Sequence, residues 1–202
     1  LFVSTLDGPE LTLRLHDLFR DFLDDQLERR HGAELPELLR RAAAEEPDMV
    51  RAVGWLARAG AWDEAARRVV AQGPALIVFG GISSLSHTLA LFPPAQFEAE
   101  PELQLLRALV AFMRFEFDTM RESGLLAAAG FERAGLAERA AWAHVIACLA
   151  MQNTGQSATG IAQVKQLQLE GMSAPVRAMA CFTLAWGEFA TMRAESTAGP
   201  FE

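Results

Sequence analysis

Two periods of hydrophobic alternation divide the chain. Over residues 11–15, leucines alternate with Thr12 and Arg14, the two-residue period of a strand. The turn signal Asp7-Gly8-Pro9 precedes it and lets residues 1–5 pair with it as a hairpin. From Asp17 the period changes: Leu18, Phe19, Phe22, Leu23 and Leu27 recur every three or four residues. That spacing predicts a helix with one apolar stripe, ended at His31-Gly32 by a glycine in the left-handed C-cap conformation.

The remainder reads as short helices punctuated by Gly or Pro. Pro36 suits the first turn of a helix to residue 45 or 46, and Asp48 caps one to Ala59, closed by Gly60. Residues 62–72 form another, ended by Gly73-Pro74, and a weaker helix spans 74–79 before Gly80-Gly81. Ser83 or Ser84 starts a helix through Leu91, and Phe92-Pro93-Pro94 breaks the chain. From Pro101 helices pair: 101–114 with 118–133, 136–152 with 157–170, and 174–186 with the segment after Phe189. Each pair takes roughly 35 residues, the period of tetratricopeptide-type hairpins. Gly155 and Gly187 suit the turn inside a pair, where the first pair has Glu116. Ala108, Ala111, Ala141, Ala143, Ala147, Ala178 and Ala180 permit close helix packing, with Phe112, Trp142, Phe182 and Trp186 filling the space between. The expected fold is all-α, a right-handed superhelical array of antiparallel helix hairpins behind a short N-terminal β-hairpin. Because Leu1 is not an initiator Met and residues 198–202 fall partway through a pair, the chain is expected to be a fragment.

Charge narrows the functional classes. The formal net charge is −8 with one lysine, Lys165, so there is no overall basic surface for nucleic-acid phosphates. Arg40, Arg41, Arg51, Arg58, Arg67 and Arg68 cluster, but Glu37, Glu45, Glu46, Asp48, Asp63 and Glu64 interleave with them as a solvated mixed-charge face. The sequence contains no uncharged apolar run of the roughly 18 residues that a membrane helix needs. Cys148 and Cys181 lie in apolar segments and read as buried free thiols of a cytoplasmic protein; His144 alone cannot complete a metal site with Cys148.

Candidate chemistry is sparse. Ser83 and Ser84 lie within a turn of His87 but lack a Gly-flanked nucleophile elbow, and Ser84 reads as an N-cap. The carboxylate pairs Asp24-Asp25, Glu45-Glu46 and Glu98/Glu100 read as exposed, which leaves them ordinary acidity. No catalytic residue or metal ligand is predicted; the chain reads as a binder. Trp55 and Trp62 flank the Gly60 turn and are either hairpin core or a ligand or partner contact. Phe112, Phe115 and Phe117 pose the same choice, since their spacing keeps all three off one helix face.

Several ordered blocks carry a resemblance. LRLHDLFRDFL at 13–23 resembles the end of the winged-helix region in STAND ATPases, especially large LuxR-type transcriptional activators related to the maltose regulon activator. LPELLRRAA at 35–43, WLARAGAWDEAA at 55–66, LALFPP at 89–94 and PELQLLRA at 101–108 are similar to that family's successive helices and breaks. The resemblance covers about residues 11–109; the stretch between Ala44 and Trp55 is shorter than the family pattern. It implies a winged-helix remnant at 1–32, linking hairpins at 33–100 and a truncated tetratricopeptide-like sensor at 101–202. It also implies that His16, in LHDL at 15–18, senses the ATP or ADP of the parent protein, while Asp17 caps the following helix. This chain holds no Gly-rich phosphate loop and no DNA-binding helix-turn-helix, so no cofactor is expected in it. The implied partners are the parent's own NTPase domain, an inducer or regulatory protein, DNA through a separate domain, and further copies of the chain. The implied function is a sensor module of a STAND-type transcriptional regulator; a stand-alone helical-repeat adaptor is the alternative.

Overall fold

The structure, a computed structural model, describes residues 3–6 and 12–197, with side chains from 16 to 192. The Asp7-Gly8-Pro9 turn, Leu11 and residues 198–202 lie outside them. The chain divides at the Gly60 turn into two compact units, residues 1–61 and 62–202; the expected boundaries at 32/33 and 100/101 fall inside them. Apart from one N-terminal strand pair, the described residues are helical.

In the first unit, β1 (Val3–Leu6) pairs antiparallel with β2 (Thr12–Leu15), Val3 opposite Leu15 and Leu6 opposite Thr12. His16 follows as the N-cap of α1 (Asp17–His31) and has no side-chain capping bond. Its carbonyl accepts the Phe19 and Arg20 N–H groups, each at 2.9 Å. Asp17 is thus inside the first turn and does not cap the helix. Gly32 is also not left-handed: at φ −54° and ψ −34° it stays helical. The Glu34 N–H then bonds the His31 carbonyl at 2.9 Å, so the chain turns straight into α2 (Leu35–Glu45). The apolar stripe of α1 makes no core; no residue of this helix is buried, and Leu18 is 76% exposed.

Local capping rules hold best in α3 (Met49–Arg58). Asp48 Oδ1 accepts the Arg51 N–H at 3.0 Å, and Gly60 adopts φ +68° beyond the helix end. Glu46 departs from the exposed reading: it is buried, accepts the Asp48 N–H at 2.9 Å and lies 3.3 Å from Arg51.

The second unit holds α4 (Trp62–Val78), α5 (Ile82–Leu89), α6 (Pro94–Ala99), α7 (Pro101–Met113), α8 (Phe117–Arg133), α9 (Ala137–Asn153), α10 (Ser157–Gln166) and α11 (Ala174–Thr197). α4 packs on α5 and α7; α7 packs on α8 and α9; α9 packs on α8, α10 and α11. Phe131, Leu105, Ala127, Ala128, Ala140 and Ala143 form one core cluster, and Ala108, Met120, Ile146 and Leu149 lie in the next. Small alanines let the helices approach, so few large side chains are needed. Among the described residues no helix is long and apolar enough to cross a membrane.

Four expectations fail here. Gly73-Pro74 does not end α4. A Cβ on Gly73 would stand 3.1 Å from Leu106 Cδ1 and 3.3 Å from Leu85 Cδ1, so this glycine serves close packing within a continuous helix. Ser84 does not cap α5; the N-cap is Gly81, and the Ser84 carbonyl accepts the Thr88 hydroxyl at 2.8 Å inside the helix. Gly187 makes no turn, because α11 runs through it; a Cβ there would meet Gln152 Nε2 at 2.6 Å and Ile161 Cγ1 at 2.7 Å. Finally, α11 buries Val176, Ala180, Thr183 and Gly187, which turns Ala178, Cys181, Phe182 and Trp186 outward rather than into the core.

Candidate functional site

Four helices that contact in succession, α4, α7, α9 and α11, share one groove. It encloses about 420 Å³ and is lined by Val70 and Pro74 of α4, Glu102, Leu105 and Leu109 of α7, Glu138, Arg139 and Trp142 of α9, and Pro175 and Val176 of α11. Its charged pair joins two helices: Arg139 of α9 bonds Glu102 of α7, while the Arg139 guanidinium lies 5.3 Å from the Phe131 ring centroid. Burial raises the Glu102 carboxyl above its ordinary acidity range, and the nearby Glu100 adds to this; the Arg139 charge and hydrogen bond pull the other way without cancelling it. Glu138 has no ion pair among the described residues. An apolar floor beside a free carboxylate fits a segment that combines an apolar side chain with a cation.

A second cavity of about 550 Å³ opens on another face of α7, between α5, α6 and α8. Phe92 and Phe97, both in its lining, meet edge to face with centroids 6.2 Å apart. Arg107 stacks its guanidinium 5.7 Å from the Phe97 centroid. Gln104, 5% exposed, donates to the Phe97 carbonyl at 3.4 Å, and its own carbonyl oxygen has no donor. An unmet buried acceptor of this kind costs about 1–3 kcal/mol.

The residues singled out in the sequence are dispersed. His16 is exposed at the β2–α1 junction. Trp55 is half-buried in the first unit. Trp62 is half-buried in the second and packs on Phe92 with centroids 5.7 Å apart. Phe117 packs on the Met120–Ile146 cluster, whereas Phe112 is exposed and Phe115 is 77% exposed, edge-on to Phe117 at 6.1 Å. Phe115 also carries φ +60°, at the position where the next two helix turns place Gly135 and Gly155. The turns match: the Glu116, Leu136 and Gln156 N–H groups each bond the carbonyl five residues back at 2.9 Å. None of these aromatic residues lines the groove.

The cysteines and His144 do not converge. Burial pushes the Cys148 thiol up to about 11, and it faces Gln163 at 3.5 Å. His144 Nε2 instead meets Glu132 Oε1 at 3.0 Å, on α8. Glu102 and Arg139 escaped sequence reasoning because they are 37 residues apart and gain meaning only when α7 and α9 pack together. Gln104 did leave a signal, as the one polar residue in the run Leu103-Gln-Leu-Leu106. In comparisons with protein-family models, curated proteins and solved structures, nothing matches this chain.

Proposed function

We propose that this chain is a regulatory binding module, the sensor arm of a STAND-type ATP-dependent transcriptional regulator. In this reading residues 1–32 are the end of a winged-helix region, and the helices from α4 onward begin a right-handed superhelical, tetratricopeptide-like array. The observation that carries the reading is the groove shared by α4, α7, α9 and α11. Stacked hairpins present the first helix of each pair on one side and so build an extended contact surface. The ligand is an inducer or partner segment bearing an apolar group and a cation, received by Trp142, Leu109 and the unpaired Glu138. Such a ligand activates only by binding two conformational states with different affinity. His16 acts as the nucleotide contact in the parent protein, and DNA is reached through a separate domain in the cytoplasm.

One observation favours the stand-alone adaptor: every groove residue lies between 70 and 176, within the second compact unit, so binding needs nothing from residues 1–61. Peptide-display selection against the chain tests the shared part of both readings. Enriched peptides should carry Lys or Arg beside an apolar residue and lose roughly tenfold or more in affinity to Trp142→Ala. Selection that is indifferent to Trp142→Ala contradicts both. His16→Ala in the parent protein then separates them, since an unchanged ADP release rate leaves only the adaptor.

A further inference from the structure

We propose that the cavity between α5, α6, α7 and α8 binds a small aromatic monocarboxylic acid carrying one hydrogen-bond donor, a molecule of the indole-acetate type. The inference goes beyond the groove and does not depend on it, because α7 turns different residues to each: Gln104 and Arg107 to the cavity, Leu105 and Leu109 to the groove. The cavity's 550 Å³ falls within the range of small-molecule sites. The Phe92 and Phe97 rings, packed edge to face at 75°, give its wall an aromatic surface against which a flat ring can pack.

The polar groups select the rest of the ligand. Arg107 lines this cavity with no carboxylate partner among the described residues, its guanidinium lying over the Phe97 face at 5.7 Å from the centroid. Its planar fork of N–H donors is free to pair with a ligand carboxylate. Glu98 also lines the cavity without an ion pair among the described residues, so its charge opposes the attraction of Arg107 and disfavours a ligand with two acid groups most. Glu116 adds no such charge, since Arg114 Nε holds it at 2.9 Å and also reaches Ser86. The Gln104 carbonyl oxygen, buried and without a donor, calls for an N–H or O–H on the ligand.

Calorimetric titration of the whole chain with three probes tests the assignment. Indole-3-acetate should bind with one-to-one stoichiometry. Indole-3-acetamide, which lacks the charge, and 1-naphthylacetate, which lacks the N–H, should each bind about tenfold more weakly. Arg107→Gln should erase the preference for acid over amide, and Gln104→Leu the preference for indole over naphthyl. The proposal is overturned by indole-3-acetate binding weaker than about 1 mM, or by discrimination that survives its substitution. If Gln104→Leu fails to fold, the exposed Arg107→Gln decides alone.

Discussion

α9 and α11 are equally apolar to the eye, yet they end in opposite situations. α9 is enclosed by α7, α8, α10 and α11, and residues 145–152 are buried without interruption. α11 packs chiefly on α9 and α10, burying Val176, Ala180, Thr183 and Gly187. Its other side carries Phe182, Trp186 and Phe189 in one aromatic row, with neighbouring centroids 6.4 and 6.2 Å apart, and Met192 beyond. Helix number and spacing around an element, more than its composition, decide whether a large side chain becomes core.

Truncating one aromatic in each region should separate the two helices most widely. Phe131→Ala, at a fully buried site beside α9, should lose about 3–5 kcal/mol in urea unfolding. Phe182→Ala on the open row, 53% exposed, should change stability by less than about 1 kcal/mol. Equal losses would mean that α11 is covered. Gly187→Leu comes next: with Gln152 and Ile161 already against the glycine, overpacking should cost about 1–3 kcal/mol, while Ala185→Leu on the exposed side should be close to neutral. The same urea curves read both.

A smaller effect is expected at the α7–α8 turn, where Phe115 stands. Its left-handed backbone is unfavourable for a side chain that is almost wholly in solvent, so Phe115→Gly should raise stability by about 1 kcal/mol. A loss instead would show that the Phe115–Phe117 contact outweighs the strain.

The smallest effect is electrostatic. The raised Glu102 carboxyl means that the folded state holds a proton where the unfolded chain has released it, so this group favours folding less as pH rises above the ordinary carboxylate value of 4.5. The melting temperature of Glu102→Gln should therefore gain on the native chain between about pH 4 and pH 7. A constant difference would remove the burial argument.

Much of the helical framework was legible because its punctuation is local. Asp48 and Gly60 bracket α3 through groups no more than a turn away, and Pro36 and Pro101 sit in the first turns of α2 and α7. Two of the failures share one cause: Gly73 and Gly187 look like breaks in sequence, but each is a glycine pressed by another helix, which no local pattern reports. α6 was missed because six residues leave too little periodicity to read. The sites were less legible still. Trp142 does pack on both alanine-rich core clusters, as its spacing predicts, but its second face on the groove has no local signal. The Glu102–Arg139 pair and the Gln104 acceptor exist as features only once α6, α7 and α9 are assembled.

The most direct test of the groove is to watch where a selected peptide lands. With methyl and indole groups labelled for NMR, titration should shift Leu105, Leu109, Val176 and Trp142 together, at one affinity, and leave the Phe182–Met192 row unchanged. Shifts confined to that aromatic row, with the four groove residues silent, would contradict the account.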